Sequence, residues 1–535
     1  MIKKTSVAAR IGALAVLLFA GRVAGAQTVL PSTGIDPFGG LFRLAASCGL
    51  ALPSVSLPFS RSFESRIAES LAVTPADPEV QADADALARA FRASDVPIIG
   101  ITLDVRYEQY IRPSDQPLSS GDFPFLLETV DPLGRMRFSF QLDNSTVLAI
   151  TAVQQREYDS GTFHNNVFVP VADNPISIEN NLVTEGFIQS TFGVFELTFG
   201  RQKVHIGPSP VNSLLVSQRI PFLDALNLKG YLGPLSMTLL ISTLENREAT
   251  PDVAPGDPAY AFGQTTILSN THYFEYSFGI LRLGIGAHYL AVRPQNDFHM
   301  ADFFPVISWH STNLIPNNLS LVADFSIVPL EGLTIYGQGG LDDVNAGGAG
   351  FSDEAVPTIP AFLVGATWHG RRERFLLNAW VETGYTHYLW GSYNDEAAMA
   401  RAIYRMDLDR DDRAIPLTSP YGPGSVWAVA SFAVATPWHL DAGMRIQYVG
   451  RNPSASLTST PYEGNPAIAS APLDHWLQCA LEVRWSLFDR LRLSAVPEFD
   501  VSGGKGWFGL TLGGEALFDR NVMIKGARTE NSRGD

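Results

Sequence analysis

Ile101-Thr102-Leu103-Asp104-Val105-Arg106-Tyr107-Glu108 decides how the rest of the chain is read. Ile101, Leu103, Val105 and Tyr107 alternate with Thr102, Asp104, Arg106 and Glu108, the period of two that gives a strand one apolar and one polar face. The pattern returns at Met136, Phe138, Phe140 and Leu142, and at Phe195, Leu197 and Phe199. It returns again at Leu440, Ala442, Met444, Ile446 and Tyr448, and at Leu481, Val483, Trp485 and Leu487. Between these lie Arg137, Glu196, Arg445, Glu482 and Arg484, so the polar face carries charge in mid-strand. A soluble sandwich buries its apolar face in a shared core, whereas an outer-membrane barrel turns that face to lipid and the polar face to a wet lumen. The longer runs approach the ~9–11 residues with which a tilted strand crosses lipid. Aromatics gather at strand ends, as in Trp380, Tyr385, Tyr388 and Trp390. After residue 101 the one short helical candidate is 395–403. These features predict an all-β transmembrane barrel, closed so that no strand edge is left unpaired. About 420 residues at roughly 23 per strand and connection give about 18 antiparallel strands, although about 16 or 20 fit nearly as well.

The 535 residues are only 17% charged, with a formal net charge of −16. That balance excludes nucleic acid, which needs a basic face. Cys48 and Cys479 are too few for a disulfide framework, and sequence leaves open whether they pair. The N-terminus reads as a secretory signal: Lys3, Lys4 and Arg10, then the apolar run 11–20, then Ala24-Gly25-Ala26 before Gln27. Cleavage there removes Lys3, Lys4, Arg10 and Arg22 and takes the net charge to −20. The best later apolar run, 426–438, has Pro437 inside it and is too short for a spanning helix. The expected organisation is a signal peptide at 1–26, an extended and helical segment at 27–97, a barrel at 98–519 and a tail at 520–535. Residues 27–60, rich in Gly, Pro and Ser, read as a loose lead-in. Two amphipathic helices follow, at 62–73 (Phe63, Ile67, Leu71) and 78–96 (Val80, Ala84, Leu87, Phe91). Asp77, Pro78 and Glu79 form the start signal of the second. The irregular stretches 245–265, 341–358, 392–426 and 452–473 read as extracellular loops.

The segment 199–208 (Phe-Gly-Arg-Gln-Lys-Val-His-Ile-Gly-Pro) leads into Asn212-Ser213-Leu214-Leu215-Val216-Ser217. It resembles the signature of the Wzi family of outer-membrane capsule-assembly proteins, a Gly-Arg-x-x-x-x-Trp-Gly-Pro-Gly turn followed by Ser-Leu-Leu-x-Ser. Ile206 stands at the tryptophan position and Ser209 at the second glycine. Downstream, Tyr336-Gly337-Gln338-Gly339-Gly340-Leu341-Asp342-Asp343 resembles the family's strand ending in an Asp-Asp pair, and His272-Tyr273-Phe274-Glu275 lies between the two blocks as the family's strand does. The match is concentrated in 195–345. The chain departs from the common barrel ending: Phe518 is its last plausible terminal aromatic, and 17 residues follow. The resemblance implies a lectin-like barrel, plugged by its N-terminal helices, that holds polysaccharide at the outer leaflet and performs no bond chemistry.

Arg201 and Lys203 share the parity of Phe199. In an unbroken strand they face outward, toward lipid headgroups; if Gly200 marks a bulge they face the lumen as ligand-binding candidates. Gly207-Pro208, with Ser213 and Ser217, reads as a structural turn that folds the next segment. Asp342 and Asp343 suit sugar hydroxyls or backbone amides of a plug, a structural network being the leading role. Asp407, Asp409 and Asp411 have the spacing of a calcium loop, but Asp412 and Thr418 stand where that template wants Gly and Glu. Tyr393, Tyr404, Tyr421 and Trp427 are candidates for stacking on sugar rings. No paired metal-ligand motif, nucleophile elbow or phosphate loop occurs, so no metal, cofactor or catalytic residue is assigned. The reading is therefore an outer-membrane barrel that binds and attaches or helps assemble capsular-type polysaccharide. Its partners are surface polysaccharide and outer-membrane lipid, with a monomer favoured. The alternative is a porin for small solutes, and a hydrolase is a distant third.

Overall fold

The computed structural model describes residues 40–74, 78–91, 97–111, 119–120, 123–124, 133–143, 145–156, 178–218, 220, 222–244, 265–294, 300–303, 317–342, 357–391, 402–407, 413–419, 421–457, 465–488 and 490–523. Three helices come first: α1 (Gly40–Ser47), α2 (Arg61–Ala72) and α3 (Pro78–Phe91). Eighteen antiparallel strands then close into one barrel. The first nine are β1 (Ile98–Ile111), β2 (Gly134–Gln141), β3 (Thr146–Arg156), β4 (Ile178–Phe192), β5 (Phe195–Gln202), β6 (Leu223–Leu232), β7 (Leu235–Leu244), β8 (Thr265–Ser277) and β9 (Leu281–Pro294). The second nine are β10 (Asn317–Leu330), β11 (Leu333–Leu341), β12 (Pro360–Arg372), β13 (Phe375–Thr386), β14 (Ser425–Ala435), β15 (Leu440–Arg451), β16 (Asp474–Phe488), β17 (Leu491–Ser502) and β18 (Lys505–Met523). Closure is made by β1 against β18, from Ile98 opposite Met523 to Ile111 opposite Leu510.

The outer surface follows the alternation. Ile101, Leu103, Val105, Phe138, Phe199, Met444, Leu481 and Trp485 are all exposed, while Ser139, Gln141, Glu196, Thr198 and Gln447 on the opposite parity are buried. Apolar side chains left outside a closed sheet need a non-aqueous solvent, which is the physical mark of a membrane barrel. At one mouth, strands are joined by turns of two to four residues; at the other, by connections of 18 to 38, apart from the Gly503-Gly504 turn. The tight turns select glycine where a side chain has no room. At Gly332, φ is +79° and a Cβ would stand 2.1 Å from the His369 carbonyl oxygen.

Three boundaries differ from the sequence reading. The lead-in contains α1, whose Leu41, Leu44 and Ala45 are buried on one face. The last strand runs to Met523, because Asn521 and Val522 still find partners in Gly100 and Ile99. Finally, the stretch 392–426 contains a short ribbon, Ile403–Asp407 against Arg413–Pro416. The signal-peptide residues, Asp77 and most of 395–403 lie outside the described residues.

Candidate functional site

Two segments enter the lumen from opposite mouths and fill much of it. The first is the β5–β6 connection, 203–222. Leaving β5, the chain turns in at Gly207, where φ is +153° and a Cβ would press on the Ser213 hydroxyl and on Gln338. Leu214, Leu215 and Val216 become completely buried, in one cluster with Leu240, Leu290, Val322, Leu363 and Trp427 of the wall. A backbone buried so deeply needs a partner for every polar group. The Leu214 N–H donates to Gln338 Oε1 at 2.7 Å. The Ser213 hydroxyl donates to the Ile206 carbonyl and accepts from the Leu215 N–H. The Ser217 hydroxyl donates to the Val211 carbonyl, and its N–H reaches the Leu417 carbonyl.

Glu382 on β13 is the main anchor of this loop. Its carboxylate accepts from the Ser209 hydroxyl, the Asn212 amide, the Tyr336 hydroxyl and the Trp427 indole N–H. The buried charge is tolerated because four donors surround it. His205 sits at the root of the loop. Its Nε2 donates to the Gly207 carbonyl and its Nδ1 accepts from the Gln218 N–H, a pair that requires the neutral ring. Burial pushes its pKa down to about 4.

The second segment is a finger, residues 51–60, that rises from the short-turn mouth. Ser56 and Leu57 pair with Ile206 and His205, so the two segments meet inside the barrel. Glu275 accepts from the Ser54 hydroxyl and the Val55 N–H. Lys229 donates to the carbonyls of Ser56 and Pro58. Behind Glu275, Arg282 bridges to Asp324 at 2.7 Å, with Tyr273 donating to the same carboxylate. The helices themselves do not fill the lumen as the resemblance implied. Phe63 and Leu71 are buried and Ile67 and Leu87 half-buried in a core the helices share with one another at the mouth; the side chain of Phe91 lies outside the described residues.

The candidate residues separate accordingly. The β5–β6 register runs unbroken through Gly200 and Arg201, so Arg201 faces outward. It forms a two-pronged pair with Asp224, and its guanidinium lies 3.9 Å from the Phe222 ring centroid. Gly200 is required by close approach, since a Cβ would stand 2.3 Å from the Gly186 carbonyl oxygen. Lys203 is half-buried just past the strand. Pro208 and Ser209 line a small internal cavity of about 40 Å³ with Arg282 and Tyr336. Asp342 accepts from the Ser320 hydroxyl at 2.6 Å and the Gly391 N–H at 2.9 Å, a network tying loops together at the long-loop mouth. Asp343, Tyr393, Asp409, Asp411 and Asp412 lie outside the described residues. Tyr421 stacks on Trp427, both buried. Among the described residues no group of three or more His, Cys, Asp or Glu is placed to hold a metal. Sequence reading missed Glu382 and Lys229, and it placed Gln338 and Glu275 inside the resembling blocks without giving either a role. The one signal of Glu382 was a charged residue at inward parity in an otherwise neutral run, Val381-Glu382-Thr383.

The opposite wall differs. On β16 to β18, inward Arg484 pairs with Glu482, Arg492 with Glu515, and Arg490 at the turn with Asp519. These side chains are between 21% and 45% exposed, against 0% for Arg282, Glu275 and Asp324.

No family model and no curated protein matches the sequence. Among solved structures, the chain is similar to Escherichia coli Wzi, described as an outer-membrane protein involved in group 1 capsule assembly and a carbohydrate-binding β-barrel. The identity is 15% and the TM-score 0.56, over 92% of this chain and 100% of that one. The Pseudomonas aeruginosa outer-membrane protein OpdK aligns at 10% identity and a TM-score of 0.40, over 79% of this chain and 99% of that one. With its apolar exterior, closed strand order and likeness to Wzi, the chain is a bacterial outer-membrane β-barrel with a Wzi-like fold.

Proposed function

We propose that this barrel binds surface polysaccharide and attaches it or helps assemble it at the outer leaflet, without bond chemistry. The observation that carries this reading is the filled lumen. Leu214, Leu215 and Val216 occupy the space through which a solute would pass, with no exposed surface. A barrel occupied by its own chain acts through its rim and loops, where hydroxyl, carboxylate and aromatic groups suit neutral or weakly charged sugars. The likeness to a carbohydrate-binding barrel supports the same assignment. The acidic chain disfavours strongly anionic glycans unless basic residues cluster locally. Binding of the refolded protein to a glycan array, with low conductance in planar bilayers, is the expected result. Steady large conductance with no glycan retained overturns it.

One observation favours the second reading, a channel for small solutes. The part-exposed ion pairs on β16 to β18 line the lumen as the wall of an aqueous path does. The same bilayer recording separates the two.

A further inference from the structure

We infer that the α1–α2–α3 unit, with its finger, is a detachable plug that withdraws toward the periplasm as one piece and uncovers a polar vestibule, while the 203–222 loop stays in place. By the rule that long loops of such barrels are extracellular, the short-turn mouth, where the helices sit, is the periplasmic one. Three independent observations carry the inference.

The unit has its own core. Leu41, Leu44, Leu52, Phe59, Phe63 and Leu71 pack together with Ala68, Ala84 and Ala88, and among the described residues Tyr231 is the one apolar barrel side chain in that cluster. Residues that bury their apolar surface mostly in one another lose little of it on leaving the wall. Only Val55 of the finger belongs to the main lumenal cluster.

The wall behind the finger is polar, where the wall behind the loop adds a broad apolar lining to its polar anchors Glu382 and Gln338. The finger meets Lys229, Ser236, Thr238 and Glu275, and each contact is a hydrogen bond that water can replace. The 203–222 loop meets Leu240, Leu290, Val322, Leu363 and Trp427, which water cannot serve.

Docking leaves the wall imperfectly satisfied. Tyr231 Oη and Arg282 Nε are buried beside the unit with no hydrogen-bond partner among the described residues. Each orphaned group opposes the docked state, and each recovers a partner when water enters. At the rim, Arg371 forms exposed ion pairs with Glu79 and Asp83 that salt weakens, beside hydrogen bonds that water can replace: the Ala51 N–H to the Gly279 carbonyl, the Gly332 N–H to the Ala46 carbonyl, and the Ser62 hydroxyl with that of Thr191.

Amide hydrogen exchange on the full chain in lipid nanodiscs tests this. In the wild type, amides of 54–57 are expected to exchange at least tenfold faster than those of 214–216, and those inside α2 to remain protected because its core travels with it. The Ser56 and Thr238 hydroxyls lie 3.0 Å apart, so S56C with T238C, in a C48S/C479S background, places two thiols at bonding range. Oxidation is expected to slow 54–57 at least tenfold and leave 214–216 unchanged, with reduction restoring the wild-type rates. Equal exchange of 54–57 and 214–216 in the wild type overturns the inference, as does a cross-link that slows both alike. Loss of α2 protection together with the finger also overturns it, because the unit then melts and does not withdraw.

Discussion

The two sides of the lumen are built from strands of one pattern and end in opposite physical states. Along β8 to β13, away from the short-turn mouth, the inward charges are buried and surrounded: Glu382 holds four donors, and Arg282 lies among Glu275, Asp324 and Tyr273. Along β16 to β18 Glu498 and Asp500 are also buried, but toward the short-turn mouth Arg484 with Glu482, Arg492 with Glu515 and Asp519 with Arg490 form pairs with part of each side chain exposed. What separates them is the filling. Where the finger and the inward loop occupy the space, water is displaced and each buried charge must be matched by protein donors. Where they do not, opposite charges on one strand, across a turn or on facing strands stay hydrated and interact weakly. Alternation in a strand therefore specifies which side chains point inward, but not whether inward means wet.

The sharpest way to break that contrast is Glu382→Ala. It strands four donors in the packed half, each worth about 1–3 kcal/mol if left unmet. The expected loss is about 4 kcal/mol or more, read as a fall in the urea midpoint of the refolded protein in micelles. Leu215→Ala comes next: a fully buried leucine in a filled lumen is expected to cost about 2–5 kcal/mol in the same assay. A neutral result for either variant means that the loop does not pack as a core.

The fold was legible because lipid leaves a simple imprint. Ile101, Leu103, Val105 and Tyr107 are exposed in a folded protein only if their solvent is apolar, and a period of two records that in sequence. The filling was not legible, for a reason that Leu214, Leu215 and Val216 make plain. Three consecutive apolar residues carry no period, and what covers them comes from residues far away in the chain: Gln338 from 124 positions on, Glu382 from about 170. The anchors are silent for the same reason, since an inward Glu on a barrel strand reads alike whether it faces water or Ser209. The Gly207-Pro208 turn was recognisable as a structural device, but nothing in its residues said that it turns inward.

His205 sharpens the contrast through pH. It belongs to the packed half, and its ring is held neutral by burial, with its pKa lowered to about 4 from an ordinary value near 6.5. A base whose pKa falls on folding contributes stability above about pH 6.5 and loses it as the pH drops toward about 4. The full loss is about 3 kcal/mol. Protonation also removes the acceptor that Gln218 uses. Urea midpoints taken at pH 7.5, 5.5 and 4 are expected to fall more steeply for the wild type than for His205→Gln. Parallel curves mean that the ring is hydrated and that the boundary between the halves lies elsewhere.

The smallest expected effect is the most informative about the other wall. Arg492 and Glu515 stand 3.6 Å apart with the guanidinium side chain 45% exposed, the geometry of a pair worth about 0–1 kcal/mol. Arg492→Ala, Glu515→Ala and the double variant are therefore expected to unfold within about 1 kcal/mol of the wild type, with any coupling between them disappearing in high salt. The same variants bear on function. If water and ions traverse this half, neutralising one partner changes the ion selectivity of whatever conductance a planar bilayer records. If the lumen is sealed, conductance stays low in all three. A destabilisation rivalling that of Glu382→Ala would mean that Arg492 is buried and obligatorily paired, and the distinction between a packed and a hydrated half would fall with it.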